Sequence, residues 1–187
     1  MNLLTVLLSL AVTMGASNAH AVETKVPVTF SDGHETDPRD HGRPVVLIAA
    51  ALKVRPEVFR QAFSGVTPAR GRRPTGDEQR RNKEALLKVL APYNVTNERL
   101  DEVSDYYRYR REKGELWPTK PAKAEAIVKD GEIKKITITD PGAGYSSPPK
   151  ATIKGFEKML LETKLKFDTD LKKNGSVASI SIVQARR

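Results

Sequence analysis

The sequence has no cysteine, few aromatic residues and only one long apolar run. The absence of cysteine from all 187 residues excludes disulfides, thiolate metal sites, iron–sulfur clusters and cysteine nucleophiles. Aromatic residues make up 6% of the chain, and tryptophan occurs once. The length allows one domain of ordinary size or two small ones, because cores much smaller than about 100 residues are marginal.

The long apolar run lies at the N-terminus, at residues 3–12. It is followed by Gly15 and by Ala19-His20-Ala21, which places small residues at the two positions that a signal peptidase reads. The run is too short to cross about 30 Å of hydrocarbon as a helix. Residues 1–21 are therefore predicted to be a signal peptide, and the mature protein to be secreted or periplasmic with no transmembrane segment.

Basic residues outnumber acidic ones, and they change from mainly arginine to mainly lysine along the chain. The formal net charge is +9. Residues 22–120 contain 13 Arg and 6 Lys against 15 acids, whereas residues 121–187 contain 2 Arg and 11 Lys against 8 acids. The change falls at Pro118 and Pro121, which restrict the backbone and remove hydrogen-bond donors. Residues 117–122 are therefore predicted to link two modules.

Helical patterning follows an N-terminal segment, residues 22–42, that is expected to be irregular. Apolar residues in the next stretch recur at helical spacing, in four sets. About four helices are therefore predicted within a helical domain at residues 43–116. Their start signals are Pro44, Pro56, the capping box of Thr75 and Glu78, and Thr96 or Asn97.

The helical half contains a weak internal repeat with an offset of 41 residues. Residues 52–59 and 93–100 both indicate a short turn fixed by a valine, followed by a helix with glutamate in its first turn. Such helix pairs can read DNA, but Asp101, Glu102 and Asp105 put negative charge where a helix facing phosphates needs bases. The repeat is therefore interpreted as two helical hairpins that pack against each other, not as a DNA-binding unit. No sequence-specific nucleic acid is predicted as a partner.

Strand patterning fills residues 123–187, the predicted β domain. Asp130-Gly131 and Asn174-Gly175 both suit type I′ turns, and each is followed by the pattern Gly-x-[Ile/Val]-x-x-Ile-x-Ile. The intervals of three and then two between apolar positions predict a β-bulge after each turn. The fold class is therefore predicted to be α+β, with the helical module followed by about five mostly antiparallel strands.

Residues 140–153 read Asp-Pro-Gly-Ala-Gly-Tyr-Ser-Ser-Pro-Pro-Lys-Ala-Thr-Ile. Gly142 and Gly144 suit positive φ, and Tyr145 is expected to lay its ring over the sheet. The segment resembles the Gly-x-Gly-Tyr-x-x-x-Pro-x-Val-x-Ile β-repeat of bacterial and phage extracellular surface proteins, over residues 124–153. This resemblance implies a structural module that serves adhesion or assembly. The whole chain resembles uncharacterised secreted bacterial proteins, which implies no activity.

Two histidines mark the densest group of possible metal ligands. With Glu35 as a base, this group is a candidate for a metal-dependent hydrolase. Its spacing matches neither His-Glu-x-x-His nor a calcium loop. The alternative is an irregular segment in which an aspartate caps the helix at Pro44 and arginines neutralise the acids. The candidate metal ligands are His34, Asp37, Asp40 and His41.

Tyrosine and arginine are concentrated between residues 105 and 111, ahead of the single tryptophan. Such groups stack on sugars or bases and bind carboxylates or phosphates. The alternative is that these residues form the end of a helix. Tyr107 would then continue the apolar stripe, and the negative end of the helix dipole would favour the arginines. The predicted contact residues are Tyr106, Arg108, Tyr109, Arg110 and Trp117, and arginines 70, 72, 73, 80 and 81 would extend them into a basic face.

Together these features predict an exported, non-catalytic binding or structural protein of the cell envelope. Its expected partner is an anionic polymer or an envelope protein, and no cofactor is predicted. The alternative function is a metal-dependent hydrolase that uses the segment from His34 to His41.

Overall fold

The computed structural model describes residues 23–67, 69, 73–110 and 113–183, and these form an α+β fold. The predicted signal peptide lies outside these ranges, and so do Arg70 and Arg72 of the predicted basic face. No helix in these ranges is long and apolar enough to span a membrane. The helices are α1 (Val45–Ala51), α2 (Pro56–Ser64), α3 (Gly76–Leu90) and α4 (Asn97–Tyr106), and the strands are β1 (Thr24–Ser31), β2 (Lys123–Lys129), β3 (Glu132–Asp140), β4 (Lys150–Ile153), β5 (Leu161–Lys166) and β6 (Ser176–Ile182).

The four helices begin where the sequence predicts them. Pro56 is the first residue of α2, where its missing N–H would have no helical partner. At α3, Thr75 accepts a hydrogen bond from the Glu78 amide while the Glu78 side chain accepts one from the Thr75 amide. Thr96 caps α4 by accepting from the Arg99 amide at 3.2 Å. These helices are therefore specified by local signals.

The 41-residue repeat has a counterpart in the backbone. Lys53 and Asn94 both adopt left-handed conformations, with φ of 60° and 61°. Each is followed by a valine that packs into the helical core, Val54 in the first copy and Val95 in the second. The repeat is thus a pair of equivalent turns, one between α1 and α2 and the other ahead of α4.

The order of the modules differs from the expectation. Thr24–Ser31 is wrongly assigned to an irregular segment, since it forms β1 inside a four-stranded sheet of order β3-β2-β1-β4. Val26, Val28 and Phe30 belong to its apolar core, which explains the alternation along the strand. The helices therefore lie in the chain between two neighbouring strands of one sheet, and the described residues contain six strands in two sheets.

All strand pairings are antiparallel within the described residues, as expected. Asp130 and Gly131 have φ of 54° and 75°, as a type I′ turn requires, and join β2 to β3. The register shifts between Ile127 and Val128, and again between Lys164 and Leu165 where β5 pairs with β6. The predicted bulge is therefore confirmed in both copies.

The second predicted I′ turn is wrong. Residues 167–175 join β5 to β6 as a longer loop, and Asn174 within it is fully buried. Its Nδ2 donates to the Leu47 carbonyl at 2.7 Å and to Tyr107 Oη at 2.9 Å, while its Oδ1 accepts from the Asp168 amide at 3.1 Å. Through Asn174 this loop connects the β module to α1 and to Tyr107 at the end of α4.

Residues 142–145 form a second contact between the β module and the rest of the chain. Gly142 and Gly144 have positive φ, as expected, and a Cβ on either would lie 2.5 Å from a backbone carbonyl of residues 117–122. Tyr145 is buried, and its Oη accepts from the Ala122 amide at 2.9 Å. Trp117 Nε1 donates to the Gly144 carbonyl at 2.8 Å. Residues 117–122 are therefore packed between the two modules.

Candidate functional site

The candidate metal ligands do not form a common donor set. Asp37 binds the Arg39 guanidinium, which holds the pKa of its carboxyl well below the usual range. It caps the short 3-10 helix Pro38–Asp40 instead of α1. Asp40 is buried and accepts from Arg60 Nε at 2.7 Å and Nη2 at 2.8 Å. Across the described ranges, no three His, Asp or Glu side chains are grouped so that they could hold a metal.

His34 lies against the contact between the two modules. Its ring centroid is 5.3 Å from that of Tyr145 and 6.1 Å from that of Trp117. Its Nε2 is buried without a hydrogen-bond partner among the described residues. Burial lowers the pKa of the imidazole, against an opposing effect of the neighbouring Glu35. His34 is therefore placed as a packed aromatic group.

The five predicted contact residues do not share one open surface. Trp117 is only 3% exposed and is fixed by its hydrogen bond to Gly144. Arg110 binds Glu115, with Nε 3.0 Å from Oε2. Tyr106 is half-buried and packs against the helical core. Trp117 is therefore a structural residue, and an exposed platform of three aromatic rings is absent from the described part of the chain.

Arg108 and Tyr109 instead line a cavity of about 350 Å³. It lies between the start of α1, the apolar face of α2, and the end of α4, with Arg43 and Phe63 on its walls. Two arginines and His41 line it, but no Asp or Glu does so among the described residues. We call this the Arg43 cavity.

Arg43 is the distinctive group of the Arg43 cavity. Its guanidinium carbon lies 4.0 Å above the centroid of the Phe63 ring, and Nη1 donates to the Asp40 carbonyl at 3.2 Å. No carboxylate of the described residues forms an ion pair with it, because the Asp40 carboxylate is held by Arg60. Burial lowers the pKa of Arg43, but a guanidinium remains protonated in proteins. Within the described residues, this half-buried positive charge therefore has no direct ion pair, although the nearby charge of Asp40 opposes the effect of burial.

Arg108 connects the Arg43 cavity to a second cavity of about 840 Å³ between α3 and α4. Its ion pair with Asp105 is 2.7 Å long but joins two well-exposed side chains, so this pair contributes little to stability. Lys83 and Asp101 neutralise each other in the second cavity at 2.8 Å, and Arg73 lies at its edge. The two cavities form one depression, the basic groove.

Comparison with known proteins adds no guide to this site. No protein-family model matches the chain, and no curated protein or solved structure matches it significantly. The likeness of residues 124–153 to surface-protein repeats therefore stays a prediction.

Sequence reasoning found Arg108 and Tyr109 but missed Arg43 and Phe63. Arg43 sits among acidic residues in the sequence, where it reads as their neutralising partner. Phe63 lies on the apolar stripe of α2, which indicates core. One sequence signal could have pointed to Arg43: it directly precedes Pro44, the proline that predicts the start of α1.

Proposed function

We propose that the protein is an exported, non-catalytic binding protein of the cell envelope that holds an acidic ligand in the basic groove. The observation that carries this proposal is the Arg43 cavity, where two arginines face a concave wall without any described acidic side chain. The N-terminal signal-peptide pattern supports export. The commitment of Asp37 and Asp40 to arginines disfavours a metal-dependent hydrolase in this segment.

The position of Arg43 suits recognition of a carboxylate. One face of its guanidinium is held by packing on Phe63, so little side-chain freedom is lost when a ligand binds. Charge-assisted bonds to arginine are stronger than neutral ones, and are screened less when they are partly buried. An acidic ligand would therefore bind here without displacing an internal carboxylate.

The binding part of the proposal is tested by Arg43→Gln and Arg108→Gln, with Arg55→Gln as the matched control. Arg55 is exposed and lies outside the basic groove, so the control removes the same charge from the same module. Binding is measured to polyglutamate, polygalacturonate and isolated envelope fractions, and circular dichroism verifies the fold of each variant.

We expect Arg43→Gln to weaken binding about tenfold or more, since a charged hydrogen bond contributes roughly 1.5–3 kcal/mol. A smaller loss is expected for Arg108→Gln, and the control should bind like the wild type. Equal losses in all three variants would show that binding depends only on net charge, and would contradict a defined site.

Export is tested separately by N-terminal sequencing of the protein recovered from its native host. Cleavage after Ala21 predicts that the mature chain begins at Val22. Recovery of the full-length chain from the cytoplasm alone would refute this part of the proposal.

A further inference from the structure

The Arg43 cavity combines an apolar floor with a charged wall. Ile48 and Phe59 lie at its base, and Leu86 lies where it meets the second cavity. Its volume of about 350 Å³ is enough for one large apolar side chain. The floor consists of uncharged, apolar side chains. It therefore favours an apolar group of the ligand, placed beside the carboxylate that Arg43 binds.

The two phenol groups of the cavity are already engaged by the protein. Tyr107 Oη accepts from Asn174 Nδ2 at 2.9 Å, and Tyr109 Oη donates to the Gly42 carbonyl. A sugar ring inserted to the floor of the cavity would place hydroxyl groups against Ile48 and Phe59, which offer no hydrogen-bond partner, and an unpaired buried hydroxyl is costly. The cavity therefore disfavours an acidic polysaccharide and favours a ligand whose buried part is purely apolar.

The rest of the basic groove favours an extended ligand. Arg108 borders both cavities, so a chain that leaves the Arg43 cavity passes this residue before it reaches the larger cavity. Arg73 and Lys83 also line the larger cavity, and Lys83 is paired with Asp101. Further negative groups along the ligand would compete with Asp105 for Arg108, because that ion pair is well exposed.

We infer that the ligand of the basic groove is an acidic peptide segment with one large apolar side chain. The apolar side chain fills the Arg43 cavity, a neighbouring carboxylate binds Arg43, and further acidic residues extend past Arg108 into the larger cavity. This inference rests on the proposed function and narrows its ligand to a protein segment.

The test measures binding of the mature full chain to three dye-labelled probes by fluorescence anisotropy. One probe is a capped pentapeptide with four acidic residues around a central leucine, and the second has serine at the centre. The third is an oligogalacturonate of equal charge. The leucine probe should bind at least about tenfold tighter than the serine probe, because a buried leucine side chain contributes roughly 1.5–3 kcal/mol.

Two variants separate the apolar contact from the charge. Arg43→Gln should weaken both peptides to a similar extent. Leu86→Phe, which adds bulk at the junction of the two cavities, should lower affinity for the leucine probe more than affinity for the serine probe. Leu160→Phe is the matched control, because Leu160 is exposed on the β module.

The possible failures are distinguishable. Equal affinities for leucine and serine probes, both reduced by Arg43→Gln, would overturn the apolar anchor but keep an acidic ligand in the groove. Tighter binding of oligogalacturonate than of either peptide would overturn the inference in favour of an acidic polysaccharide. Absence of binding to all three probes would refute both the inference and the groove as an anion site.

Discussion

Gly175→Ala is predicted to destabilise the protein much more than Gly131→Ala. The two glycines occupy the same position in the two copies of the bulged-hairpin pattern, and their φ angles are similar, at 67° and 75°. A Cβ on Gly131 would meet nothing within 4 Å, whereas one on Gly175 would overlap the Tyr145 carbonyl and lie 2.6 Å from Leu47 Cδ2. The comparison therefore separates steric overlap from conformational strain.

The expected loss in the free energy of unfolding follows from the conformational strain and the steric overlap. Alanine in the left-handed region costs about 1–2 kcal/mol at either position. Overpacking adds roughly 1–3 kcal/mol at Gly175, where backbone atoms have to move. The Gly175 carbonyl also accepts from the Tyr145 amide at 2.9 Å, and movement of the chain weakens that bond. We expect a loss of about 3–4 kcal/mol for Gly175→Ala and about 1–2 kcal/mol for Gly131→Ala.

Urea unfolding measures the difference with two probes. Trp117, the single tryptophan, is buried and bonded to Gly144, so its fluorescence reports the contact between the modules. Far-UV circular dichroism reports the secondary structure. Free energies of unfolding that agree within about 0.5 kcal/mol for the two variants would refute the steric argument, since changes away from such features usually fall in that range.

Two further predictions concern buried polar groups. Asn174→Ala removes two buried hydrogen bonds and a part-buried third, and is expected to lower the free energy of unfolding by about 3 kcal/mol. The exposed Asn97→Ala control should change it by less than about 0.5 kcal/mol in the same urea titration. Burial lowers the pKa of His34 from 6.5, so the folded state binds its proton less readily than the unfolded state, and stability should fall as pH drops below about 6.5. His34→Phe should reduce this loss between pH 7 and pH 5, whereas the exposed His41→Asn should retain it; equal pH profiles for all three proteins would contradict the assignment.

The sequence was sufficient to predict those elements whose signals lie within the element itself or next to it. Caps, prolines and apolar periodicity mark the starts of the helices, and the interval pattern after Gly131 and Gly175 marks both bulges. β1 was missed because its partners, β2 and β4, follow about 90 residues or more later in the chain. No turn signal near Thr24–Ser31 could reveal such a pairing, although its residues alternate.

The site was only partly predictable because its main feature is a missing partner. Asp40 is three residues from Arg43 in the sequence, so mutual neutralisation is the natural expectation. In the structure Arg60, from α2, takes both oxygens of that carboxylate. Among the described residues, the Arg43 guanidinium is left with the Asp40 carbonyl and the face of Phe63. Which acid pairs with which base is a tertiary property, and here it decides which guanidinium has no carboxylate beside it.

The β module takes part in shaping the basic groove although none of its residues lines the Arg43 cavity. Asn174 bonds to the backbone of α1 at Leu47, next to Ile48 in the cavity floor. It also bonds to Tyr107, next to Arg108 at the point where the two cavities meet. Asn174→Ala leaves the charge of the groove unchanged, yet it frees two of the cavity's walls to shift relative to each other. Affinity for the leucine probe should therefore fall in this variant more than affinity for the serine probe, because an apolar side chain depends on close packing whereas a surface carboxylate does not.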